Sequence, residues 1–101
     1  MAKYKLSVQA ERDLSSIFEY GIFQFGLNQA QYFLMEIEQT FEGLSKLNMS
    51  GIDVSELYPG LRKYAFKSHL IFYLATTYGV FIVRVLHQSR DYKRSSFEDF
   101  V

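Results

Sequence analysis

Arg62, Arg84, His87, Arg90 and Tyr92, all in the second half of the chain, are the residues whose side chains could do chemistry. Guanidinium groups can hold a phosphate or another anion, and a histidine near its neutral pKa can take or give a proton. Such chemistry needs convergence, and the local pattern argues against it. In the period-two alternation of 80–87, Arg84 shares a face with Val80, Ile82 and Leu86, whereas His87 shares the other with Phe81, Val83 and Val85. Their side chains should diverge unless a bulge or the strand end intervenes. An arginine in so apolar a strand also needs a paired carboxylate or an exposed site, because an isolated buried charge is expensive. His69 and His87 stand alone at strand ends, where a surface or hydrogen-bonded role is the first expectation.

Other chemistries have less support. The chain contains no cysteine and no pair of histidines at helical spacing, so no metal site is expected. It also lacks Gly-x-Gly-x-x-Gly, a phosphate-binding loop and Gly-x-Ser-x-Gly, and no cofactor is expected.

The elements that must position these residues are legible. Lys3-Tyr4-Lys5-Leu6 alternates as a short strand, and Ser7 can cap the helix that follows. Between Ala10 and Phe25, residues Leu14, Ile17, Phe18, Ile22 and Phe25 recur at helical spacing, and Gly26 can stop the helix. Asn28 with Gln31 resembles a capping box for a second helix, which carries Ala30, Phe33, Leu34, Ile37, Phe41 and Leu44 on one stripe. Such stripes first of all form core. Asn48 to Pro59 reads as a surface loop, followed by strands over Leu61–Phe66, His69–Thr76 and Val80–His87 with tight turns between them. The segment Asp91–Phe100 fits a short helix or an edge strand. The order is β-α-α-β-β-β, a two-layer α+β domain with a helical hairpin packed on a mostly antiparallel sheet.

With 101 residues, 49% hydrophobic and 18% aromatic, the chain can build one core and not two, so residues 1–101 form a single domain. Its apolar runs are far shorter than the roughly 20 residues that span a bilayer. No secretory signal is apparent either, and a cytoplasmic location without membrane contact is expected. Net charge is zero but unevenly placed: residues 1–59 hold four Lys or Arg against eight Asp or Glu, and residues 60–101 hold seven against three. A zero total disfavours a protein that depends on a nucleic-acid backbone for affinity.

Five ordered motifs resemble one family. Tyr4-x-Leu6-Ser7-x-x-Ala10-x-x-Asp13-Leu14-x-x-Ile17, Phe25-Gly26-x-x-Gln29-Ala30, Tyr58-x-Gly60-Leu61-Arg62, His69-x-Ile71-Phe72-Tyr73 and Ile82-x-Arg84-Val85-Leu86-His87 resemble the ParE branch of the RelE/ParE toxin superfamily, from Tyr4 to about Asp91. Asn48-Met49-Ser50-Gly51 stands where that family commonly has a proline.

The resemblance implies a type II toxin that blocks replication by acting on DNA gyrase, held silent by a ParD-type antitoxin. It would be a protein-binding inhibitor and not an enzyme, touching DNA only through the antitoxin. The hairpin and sheet aromatics Phe18, Phe25, Phe33, Phe41 and Tyr73 would then be antitoxin-binding. From charge segregation, the basic run Arg90, Lys93 and Arg94 is expected to face the target. The alternative is the RelE branch, which cleaves messenger RNA on the ribosome; Arg62, Arg84, His87 and Tyr92 would then be catalytic, holding the scissile phosphate and moving protons. Neutral total charge weighs against that alternative. A relative that only binds its partner would keep the fold without toxicity.

Overall fold

The computed structural model describes residues 3–98. Strand β1 (Lys3–Leu6) leads into helices α1 (Val8–Phe25) and α2 (Leu27–Lys46). Then come β2 (Ile52–Asp53), β3 (Leu61–Phe66), β4 (His69–Ala75), β5 (Gly79–His87) and a 3-10 turn at Arg94–Phe97. The five strands form one sheet in the order β1-β5-β4-β3-β2, parallel between β1 and β5 and antiparallel elsewhere. This is the expected α+β architecture, with one short edge strand, β2, inside the segment that composition marked as loop.

Ser7 joins the layers. Its hydroxyl oxygen accepts the Ala10 N–H at 2.9 Å, capping α1, and donates to the Val83 carbonyl at 2.7 Å. Gly26, at φ 89°, ends α1 and also precedes the first residue of α2. The capping box expected at Asn28 and Gln31 is therefore not used: α2 begins at Leu27 and has no side-chain cap, because one left-handed glycine turns the chain and starts the second arm.

Both sheet faces are apolar. Beneath the helices, Ala10, Leu14, Ile37, Phe41 and Leu44 pack on Ile71, Tyr73, Val80, Ile82 and Val85. On the far face, Val54, Leu61, Phe72, Val83 and Leu86 are covered by Phe97 from the C-terminal segment, which forms a 3-10 turn there and not an edge strand; residues 99–101 lie outside the described part. Burying one phenylalanine such as Phe97 contributes roughly 1.5–3 kcal/mol.

The strand register carries one irregularity. Phe72 pairs with Arg84 but Tyr73 pairs with Ile82, so Val83 has no partner on β4. A bulge of this kind shifts the alternation by one. Val80 and Ile82 face the helices, Val83 faces away, and beyond the bulge Val85 faces the helices again while Leu86 faces away. Arg84 therefore shares the far face with Phe72, Val83 and Leu86, and His87 shares the helix face with Val85. This corrects the companions expected from strict alternation, although the two side chains do diverge.

Candidate functional site

The helical hairpin does not close fully onto the sheet. Between α1, α2 and the β3–β4 turn lies a groove of about 490 Å³, lined by Phe18 and Phe25 from α1, Phe33 from α2, and Lys67, His69 and His87 from the sheet. Phe18 and Phe33 are half-buried, and Phe25 is 70% exposed. Three of the five aromatic residues expected to meet a partner thus converge on one open surface. The other two do not: Phe41 and Tyr73 are 0% exposed. Phe41 packs against Tyr4 at a ring separation of 5.3 Å, and the Tyr73 hydroxyl accepts the Gly51 N–H at 2.7 Å. Both are core residues and, contrary to expectation, are not part of a binding surface.

Histidines 69 and 87 form the sheet end of the groove. They are directly opposed on β4 and β5, with rings edge to face at 5.2 Å, and Phe33 stands 5.5 Å from His69. Burial first, and the neighbouring His87 second, hold the His69 pKa below the ordinary histidine value. His87 Nδ1 accepts the Ser89 N–H at 3.1 Å and lies 2.7 Å from Ser89 Oγ. At the rim, Lys67 adopts φ 52°, unusual for a residue with a side chain. Its ammonium bonds Glu36 at 2.7 Å and lies 5.8 Å from the Phe33 ring centre. The pairing of the two histidines depends on the bulge at Val83, which no local sequence signal marks. The Lys67–Glu36 contact is likewise not encoded locally, since it spans helix and turn.

The residues expected to converge under a ribonuclease reading do not all come together. Arg84 forms two bonds to Asp13, at 2.8 Å from Nε and 2.9 Å from Nη2, and donates through Nη1 to the Ser96 carbonyl at 3.2 Å. This is the paired carboxylate that an arginine in an apolar strand requires. Arg62 holds the loop after α2, donating to the Gly51 carbonyl at 3.0 Å from Nε and 2.7 Å from Nη2, and to the Met49 carbonyl at 3.2 Å. The Asn48-Met49-Ser50-Gly51 loop is fixed by this arginine. Tyr92 lies on the far sheet face, its ring 5.0 Å from Phe72 and its hydroxyl 3.5 Å from Lys63 Nζ. His87 faces the helices. His87 thus stands on the opposite sheet face from Arg84 and Tyr92, which both lie beside Phe72, and the two arginines are committed to structural bonds.

Arg90, Lys93 and Arg94 follow β5 in the segment that covers the far face, and all three are exposed. Arg94 donates to the Glu56 carbonyl at 2.6 Å, tying that segment to the loop before β3. Among the described residues, no group of three or more His, Cys, Asp or Glu could hold a metal ion, and no helix is long and apolar enough to cross a membrane.

A helical hairpin packed on a five-stranded mixed sheet, with a groove left open between them, defines a small two-layer α+β protein. Comparison with known proteins narrows it. The family model described as "ParE toxin of type II toxin-antitoxin system, parDE" matches residues 4–92, and the chain belongs to that family. It is 33% identical over 95 residues to "Toxin ParE1" of Mycobacterium tuberculosis (strain ATCC 25618 / H37Rv), covering 93% of this chain and 97% of that protein. It is 36% identical over 89 residues to "Toxin ParE1" of Caulobacter vibrioides, covering 88% and 92%. The fold is similar to a solved chain from the "Chromosomal ParDE TA system from P. aeruginosa", with a TM-score of 0.72 at 18% identity over 86% of this chain and 96% of that one. The protein is a type II toxin of the ParE family.

Proposed function

We propose that this toxin is a protein-binding inhibitor of DNA gyrase, neutralised by a ParD-type antitoxin whose partner-binding segment occupies the groove. The observation that carries the antitoxin half is the open apolar surface of Phe18, Phe25 and Phe33, whose half-exposed rings suit an amphipathic helix laid in a groove. DNA is contacted only through the antitoxin, and a gyrase target places the protein in the cytoplasm. The exposed Arg90, Lys93 and Arg94 lie apart from the groove and are the target-facing candidates. A gyrase poison needs no catalytic centre of its own. The placement of His87 on the opposite sheet face from Arg84 and Tyr92, with both arginines engaged in structural bonds, favours this reading over messenger-RNA cleavage.

The test is a supercoiling assay with purified gyrase. Inhibition by the chain alone, relieved by the protein encoded beside it, supports both halves. Unimpaired supercoiling together with rapid cleavage of translated messages overturns the gyrase half.

A further inference from the structure

The groove that the antitoxin is proposed to fill has a titratable end. His69 and His87 oppose each other across β4 and β5 at 5.2 Å, and both line the cavity with Phe33. His69 Nδ1 is buried and, among the described residues, has no hydrogen-bond partner. A proton placed there finds no acceptor, and a second imidazolium beside it meets a like charge.

The surroundings offer no compensation. From α1 the cavity receives Tyr20, from α2 Gln29, Tyr32 and Glu36, and from the β3–β4 turn Lys67 and Ser68. Glu36 is the single carboxylate among the described lining residues, and Lys67 already holds it at 2.7 Å. Asp13, also on α1, is taken by Arg84 and by the Val85 N–H. Ser89, after β5, donates its N–H to His87 Nδ1, an interaction that protonation at that nitrogen removes.

We infer that the His69–His87 pair makes groove occupancy proton-dependent, so that acidification loosens the toxin–antitoxin complex. This rests on the groove being the antitoxin site. An apolar segment laid over the rings strips water from them and penalises their charged forms, and by reciprocity protons weaken the segment's hold. A ring that takes up a proton more readily in the free protein than when covered raises the apparent Kd as pH falls, severalfold between pH 7.5 and pH 5.5.

The experiment titrates full-length toxin with the purified antitoxin encoded beside it, by calorimetry at pH 7.5, 6.5 and 5.5, with circular dichroism confirming the fold at each pH. The expected result is a Kd that rises severalfold for the wild type and is nearly flat for His69→Gln/His87→Gln. The single variant His87→Gln, at an exposed ring, serves if the double variant does not fold, and is expected to reduce the slope. A flat wild-type profile, or a slope that survives in the variants, overturns the inference while leaving the groove reading standing. No binding at any pH overturns both.

Discussion

Asp13 and Arg84 meet through both carboxylate oxygens, at 2.8 and 2.9 Å, and the same carboxylate accepts the Val85 N–H at 3.0 Å. Their side chains are only 12% and 11% exposed. The relationship follows from a short strand: β1 pairs with β5 only as far as Leu6 with Ile82, which leaves the β5 edge beyond it without a neighbour. Ser7 takes the Val83 carbonyl and Asp13 takes the Val85 N–H, so helix α1 finishes the edge that β1 leaves open.

Replacing Asp13 with Ala removes one partner of this pair and leaves a nearly buried guanidinium. The expected loss is about 3–5 kcal/mol, read from urea unfolding. The double variant Asp13→Leu/Arg84→Met should lose clearly less than the sum of the single variants, since no unpaired charge remains. Additive losses would show that the pair is not coupled.

Gly51 sits where no side chain fits. A Cβ there would lie 2.6 Å from the Tyr73 hydroxyl oxygen and 2.8 Å from the Lys63 carbonyl oxygen. Gly51→Ala should therefore destabilise the fold by roughly 1–3 kcal/mol. Tyr73→Phe, which leaves the Gly51 N–H without its acceptor, should cost about 1–3 kcal/mol. Thermal melts of both variants check the expectation.

Phe25 and Phe41 separate surface from core. Phe25→Glu, at a 70% exposed ring, should leave the melting temperature nearly unchanged and weaken antitoxin binding by about tenfold or more. Phe41→Ala, at a position with no exposure, should cost about 3–5 kcal/mol of stability. A large stability loss in Phe25→Glu with unaltered binding would reverse the assignment.

His69 also predicts how stability depends on pH. Its folded pKa is depressed by burial and by His87, so between the folded and unfolded values the unfolded chain binds more protons. Its contribution is fully present above the unfolded value and is lost as pH falls from about 6.5 through the folded pKa. Urea midpoints of wild type should drop over that window more than those of His69→Phe, and equal slopes would argue against it.

The basic run can be tested separately from the groove. Arg90→Ala/Lys93→Ala/Arg94→Ala should abolish gyrase inhibition while antitoxin affinity changes less than about threefold, with a small stability loss because Arg94 anchors the Glu56 carbonyl. Retained inhibition would remove the run from the target surface.

Much of this was legible because it is local. Leu14, Ile17, Phe18 and Phe33 announce their helices by spacing, and Lys67-Ser68 announces its turn, so the order of elements and the helical hairpin follow. What local pattern does not encode is pairing. Asp13 and Arg84 are 71 residues apart, and nothing near Arg84 names its partner, although the need for a carboxylate was legible. Phe41 looks like Phe33 in the helical stripe, yet only position along α2 decides which ring lies deep under the sheet and which stands at the open end. The His69–His87 contact required the register, and the register contains the bulge.

That bulge is an all-or-none quantity. One residue, Val83, is skipped by the neighbouring strand, so Gly79–Ile82 and Arg84–His87 are read in two different frames. Loss of a single codon here would not trim the strand but rotate everything downstream by half a turn, sending His87 away from the groove and Arg84 away from its present side. Histidine 87 and arginine 84 therefore cannot be inherited as independent traits. Their placement travels with the spare residue between them and the start of the strand, and a comparison of relatives that misplaces one gap would exchange their roles.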